Sequence, residues 1–105
     1  MNRFIEHSKG EDAIITIDGN EDTTDWEVEF KVFDSNGDEV TDFTLTQDDA
    51  EVTKVGDGYE DYQLDLTAIS SRADEGSYTY TFWKTNRPTR LIQSGHYVIK
   101  PEKQP

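Results

Sequence analysis

Residues 74–83, Asp-Glu-Gly-Ser-Tyr-Thr-Tyr-Thr-Phe-Trp, constrain the fold more than any other stretch of the chain. Asp74 and Gly76 carry turn chemistry, because an aspartate can bond its own backbone and a glycine accepts positive φ. Tyr78, Tyr80 and Phe82 then alternate with Thr79 and Thr81. A period of two places the aromatics on one face of a strand and the threonines on the other. Such a line of aromatics makes a large apolar face, so this strand is expected at the centre of the core.

The rest of the chain supplies strands to cover it. Residues 4–7 read as a short edge strand, and residues 13–17 as a β-rich run with Ala13, Ile15 and Ile17 on one face. Residues 18–22 have loop chemistry and no apolar residue. Residues 26–32 alternate cleanly, with Trp26, Val28, Phe30 and Val32 facing inward and Glu27, Glu29 and Lys31 facing water. Asn36-Gly37 marks a hairpin tip, from which residues 40–46 are expected to return as a strand. Residues 51–55 form another strand, and after Gly56-Asp57-Gly58 the chain pairs back over 59–66 with Tyr62, Leu64 and Leu66 on one face. Residues 67–72 lose the alternation and predict a single helical turn. Pro88 places residues 85–89 at a hairpin tip, because proline cannot sit in a central ladder. Residues 91–99 are the last strand, with a bend expected at Gly95, and 101–105 form a tail. A run of short strands with almost no helix predicts one β-sandwich or small barrel over residues 1–100.

Charge limits the partners. The 23 acidic and 10 basic residues give a net charge of −13. That balance opposes direct contact with nucleic acid, whose phosphates would be repelled. It favours a solvated, self-repelling surface, and a protein imitating the phosphates of DNA is a sharper reading of the same acidity. No apolar run is long enough for a membrane span. The first seven residues are too polar for a signal peptide, and the absence of cysteine removes any need for an oxidising compartment. Synthesis in a cytoplasm is expected. The charge is also segregated: after residue 80 the only acid is Glu102, against Lys84, Arg87, Arg90, Lys100 and Lys103.

Little in the chain points to catalysis or metal binding. There is no cysteine and no Gly-x-Ser-x-Gly elbow, and His7 and His96 lie far apart in sequence. Paired carboxylates are so abundant that none is singled out as a catalytic dyad. Asp34, Asn36 and Asp38 have the first spacings of a calcium loop, but Glu39 stands where that loop needs glycine and Leu45 where it needs glutamate. No metal, cofactor or catalytic residue is therefore assigned. The last hairpin is the better candidate site: Trp83, Lys84, Arg87 and Arg90 gather at its tip, and tryptophan and arginine dominate interface energetics. Trp83 shares the strand face of Thr81, off the main core. The plain alternative is a tryptophan capping the end of the sandwich. Loops cluster at the two ends of a sandwich, so the fold is expected to hold this basic tip away from the chain's own carboxylates.

Asp74-x-Gly76-x-Tyr78-x-Tyr80 resembles the Asp-x-Gly-x-Tyr-x-Cys motif of the immunoglobulin fold. The resemblance implies that Tyr78 is a corner tyrosine bonding back to backbone near Asp74, and that Trp26 is the strand-C tryptophan. Tyr80 replaces one cysteine of that family, and Ile15 or Ile17 the other, so packing alone would hold the sandwich. The implied architecture is all-β, an immunoglobulin-like sandwich of about seven antiparallel strands without a disulfide. The whole chain is also similar to small immunoglobulin-like proteins of tailed bacteriophages, including the N-terminal domain of baseplate upper proteins. The similarity rests on the Gly10-Glu11-Asp12 turn into an Ile/Thr strand, Leu66-Thr67, Gly76 to Tyr80, and the closing segment around Gly95-His96-Tyr97.

That resemblance implies a non-enzymatic virion component of head, neck, tail or baseplate. It would act by contacts with other virion proteins or with copies of itself. A surface- or glycan-binding adhesion module is the alternative, with Trp83 and Tyr97 as stacking faces, and an acidic DNA-mimic inhibitor is a further one.

Overall fold

The computed structural model describes residues 2–101. Eight strands form two sheets: β1 (Asn2–Ser8), β2 (Ile14–Asp18), β3 (Val28–Phe33), β4 (Leu45–Thr46), β5 (Val52–Val55), β6 (Asp61–Asp65), β7 (Gly76–Lys84) and β8 (Arg90–Lys100). The larger sheet runs β1-β8-β7-β3-β4 and the smaller β2-β6-β5. The aromatic strand β7 lies at the middle of the five. In immunoglobulin terms the small sheet is B-E-D and the large one, beyond β1 at its edge, is G-F-C-C′, so strand order itself identifies an immunoglobulin-like sandwich.

The alternation reads out as expected in the core. Trp26, Val28, Phe30 and Val32 from one segment, Tyr62, Leu64 and Leu66 from another, and Tyr80 and Phe82 from β7 are all buried. Aromatic contacts cross between the sheets, where Tyr62 meets Phe82 edge-on at 5.3 Å and stacks on Trp26 at 6.3 Å; within the large sheet Phe30 lies 5.6 Å from Tyr80. Ile17 is fully buried and Ile15 only in part, so Ile17 takes the place of the absent strand-B cysteine. Residues 67–72 form the expected helical turn, α1 (Thr67–Arg72). The Tyr78 hydroxyl donates to the Asp74 carbonyl at 2.8 Å, closing the tyrosine corner.

Several expectations need correction. The eight strands of the described residues are not all antiparallel, since β1 runs parallel to β8. The turn at 8–12 is present, with Glu11 N–H donating to Ser8 at 3.1 Å; Lys9 N–H donates to Lys100, Gly10 N–H donates to Ser70, and Gly10 at φ +82° lets the chain cross to the other sheet. The return strand at 40–46 shrinks to the two residues of β4, because a 3-10 turn at Thr41–Phe43 swings Phe43 into the core. The Gln47 side chain then accepts the Val28 N–H at 3.0 Å. At the preceding tip Gly37 N–H donates to Asp34 and Gly37 alone takes positive φ, so the hairpin uses a turn over 34–37 ending in a left-handed glycine. The irregularity in the last strand falls at Ile92 rather than Gly95, where Phe82 pairs with Gln93 but Trp83 pairs with Leu91. The tail at 102–105 lies outside the described residues.

Candidate functional site

The predicted tip residues do not form one surface. Strand parity sends Trp83 to the outer face of the five-stranded sheet and Lys84 to the inner one. Lys84 is only 6% exposed, and its amine donates to the carbonyls of Asn86 (2.9 Å) and Pro88 (3.1 Å). It therefore holds the hairpin in shape and is not a docking charge. Arg90, paired with Lys84 across the hairpin, reaches over the end of the sandwich. Its guanidinium lies 5.3 Å over the Trp26 ring and donates to Glu21 at 2.8 Å. Arg87 is exposed.

The expected separation of this tip from the acidic body is also overturned. Arg87 and Arg90 share a cleft of about 430 Å³ with Glu21, Asp22 and Asp25. The loop after β2 and the β7–β8 hairpin meet at the same end of the sandwich, and Asn86 ties them by donating to the Asp25 carbonyl at 2.8 Å.

Trp83 instead belongs to a broad face. The ladder sets it between Glu29 of β3 and Leu91 of β8. The bulge at Ile92 is what brings Leu91 onto this face, since an unbroken register would turn it inward beside Gln93. Leu91 is 43% exposed, and half-buried Phe33 and Val98 share the face, with Phe4 at the β1 edge 61% exposed. Its charges are paired: Lys100 with Glu6 at 2.9 Å, and Lys31 with Glu29 at 3.3 Å and Glu39 at 3.7 Å. The Glu29 carboxylate, through its hydrogen bond and its charge, raises the Lys31 amine, and Glu6 does the same for Lys100. The outer face of the small sheet differs. Asp18, Asp61 and Asp65 project there with no base among them. Desolvation, then the facing Asp18, pushes the Asp61 carboxyl up, whereas the Thr67 hydroxyl and N–H hold Asp65 down.

The remaining candidates are placed as follows. Tyr97 is fully buried and its hydroxyl is hydrogen-bonded with His7 Nε2 at 2.6 Å, so it offers no stacking face to a glycan. Burial pushes that hydroxyl far above its ordinary value. His7 faces the core while His96 lies on the outer face of β8, so the two histidines do not meet. The Asp34 carboxylate accepts the backbone N–H groups of Asn36 (2.9 Å) and Asp38 (3.0 Å), which accounts for the spacing of that loop. Sequence reading missed Leu91, Phe33 and Val98 as companions of Trp83. Phe33 and Val98 fit the strand alternation, but Leu91 depends on a bulge without a local signature.

No protein-family model matches the sequence, and a search of curated proteins finds no match. Among solved structures the chain is similar to the Ig1 domain of mouse SynCAM 2, at 14% identity over 94% of this chain and 92% of that one, with a TM-score of 0.45.

Proposed function

We propose that this protein is a non-enzymatic binding module, a virion component of a tailed bacteriophage. It docks on a neighbouring virion protein, or on another copy of itself, through the outer face of the five-stranded sheet around Trp83, with Arg87 at the hairpin end. The observation that carries the docking surface is its charge: within a chain of net charge −13, this face holds an aromatic and aliphatic surface on which Glu6, Glu29 and Glu39 are each ion-paired with a lysine. Such a face meets another acidic protein without the repulsion that the rest of the surface imposes. Trp83 supplies an apolar anchor of the type that dominates interface energetics, and Arg87 a rim charge. The placement in a phage particle rests on the resemblance of the whole chain to phage immunoglobulin-like proteins. The same acidity disfavours nucleic acid and anionic membranes as partners.

Mass spectrometry of virions purified from the source should find the chain as a stoichiometric component. Trp83→Glu should fold like the parent yet be lost from particles, and Arg87→Glu should be reduced. Particles that lack the parent chain would overturn the virion placement. Full incorporation of Trp83→Glu would overturn the docking face.

A further inference from the structure

A second surface lies where β1 and β2, the edges of the two sheets, run beside each other. β2 is the edge of the small sheet and β1 the edge of the large one. Between them runs a groove of about 320 Å³ lined by Phe4, Ile5 and Ile15, with Asp18 and Asp61 at its wall.

The backbone of β2 is half used. Leu66 N–H donates to Ala13 at 2.6 Å and Gly19 N–H to Glu60 at 2.7 Å, so these are bonded pairs of the β2–β6 ladder. Antiparallel ladders alternate, which assigns Ile15 and Ile17 to β6 and turns the N–H and C=O groups of Ile14 and Thr16 outward. Edge strands are normally blunted by shortness, proline, lysine or a bulge. Among the described edges, β4 has two residues, β5 carries Lys54, and β1 carries Glu6, ion-paired with Lys100. β2 has five residues, Ile-Ile-Thr-Ile-Asp, with none of these devices except its terminal aspartate, and Ile14 is 60% exposed.

Charge selects the occupant. Asp18 and Asp61 face each other directly across the ladder, a like-charge pair that costs stability. Desolvation, then the charge of Asp18 and a hydrogen bond with it, push the Asp61 carboxyl up. A cation brought by an incoming strand relieves that pair. A second copy of the chain cannot bring one through its own β2, which has no base, and it adds another −13 of charge.

We propose that the free edge of β2 accepts an extended segment of a partner protein as an additional strand, one with alternating apolar side chains and a lysine or arginine at its end. The incoming backbone pairs with Ile14 and Thr16, its inward side chains fill the groove over Ile15 and Phe4, and its basic end sits between Asp18 and Asp61. This surface shares only Phe4 with the residues named on the Trp83 face.

The test uses isotope-labelled protein and a seven-residue synthetic peptide of alternating valine and threonine with lysine at both ends. Controls replace the lysines with glutamates, or N-methylate the peptide amides that face β2. The lysine peptide should shift the amide signals of Ile14, Thr16 and Asp18 and bind at least about tenfold more tightly than the glutamate peptide, with affinity falling as salt rises. N-methylation should abolish binding, and Thr16→Pro should do the same while leaving the β6 ladder intact. The N-methylated peptide decides the question without any change to the protein, should Thr16→Pro not fold. Trp83→Glu should bind the peptide like the parent. Absence of shifts at millimolar peptide, equal binding of the glutamate or N-methylated peptide, shifts confined to another surface, or self-association of the protein through β2 would each overturn the proposal.

Discussion

The two outer faces of this sandwich obey the same strand alternation and end with opposite characters. On the five-stranded sheet Glu6 meets Lys100 and Glu29 meets Lys31, and apolar side chains fill the space between. On the three-stranded sheet Asp18, Asp61 and Asp65 stand without a base, and Asp18 opposes Asp61 across the ladder. The net charge of −13 is therefore an average over unlike surfaces. In an acidic protein a docking face need not be a basic patch. It can be a region where acids are paired with bases, because such a region approaches a partner at less electrostatic cost than an unpaired acidic face.

The comparison depends on both sheets being held to one core, and the largest expected effect comes from breaking that join. Phe82 is fully buried on the large sheet and touches Tyr62 of the small one. Phe82→Ala should cost on the order of 3–5 kcal/mol, enough to unfold a marginal domain. Thermal unfolding of the variant checks this, and a melting temperature equal to the parent's would refute the inter-sheet role. Next comes the corner that fixes how the chain passes from α1 into β7. Tyr78→Phe removes the hydroxyl that donates to Asp74 and should cost roughly 1 kcal/mol or somewhat more, read from denaturant midpoints.

Both residues were legible in the sequence, and the reason is local. Tyr78, Tyr80 and Phe82 sit on an uninterrupted strand, so alternation alone fixes which face each occupies. The corner needs only residues 74–78. The candidate site was less legible, because its assembly is not local. Lys84 looks like any surface lysine until strand parity buries it against the carbonyls of its own hairpin. Arg90 looks free until the loop after β2 brings Glu21 to it. Leu91 joins Trp83 only through the bulge at Ile92. The parallel pairing of β1 was equally hidden, since it depends on the crossover at Lys9 and Gly10 rather than on the strand itself.

A smaller change sharpens the five-stranded face. The Thr81 hydroxyl is buried without a hydrogen-bond partner in the middle of that face, beside Trp83. Thr81→Val keeps the branched shape and removes an unsatisfied oxygen. It should stabilise by up to about 1 kcal/mol, seen as a melting temperature a few degrees higher. An unchanged or lower value would mean that the hydroxyl is satisfied after all.

The smallest effects lie on the three-stranded face, where two aspartates of one strand should respond to pH with opposite signs. Desolvation and Asp18 raise the Asp61 carboxyl above its ordinary 3.8, so the folded chain takes up that proton before the unfolded one as pH falls. The ionised form is then a liability: its cost is full above the raised folded value and disappears below the unfolded one. Asp65 is the reverse case. Thr67 donates to its carboxylate and lowers its value from 3.8, so its stabilisation is full above the unfolded value and is lost as pH falls through the lowered folded one. Asp61→Asn should accordingly raise the melting temperature slightly at pH 7, and the gain should fade once acid protonates Asp61 in the parent. Asp65→Asn should lower it at pH 7, with the loss shrinking as pH falls below the unfolded value and gone below the depressed folded one. Melting curves of the parent and both variants from pH 7 down to pH 2 check the pair. If Asp61→Asn proved destabilising at pH 7, the like-charge pair with Asp18 would not be the cost assigned to it, and the electrostatic argument for a cationic strand at β2 would lose its footing.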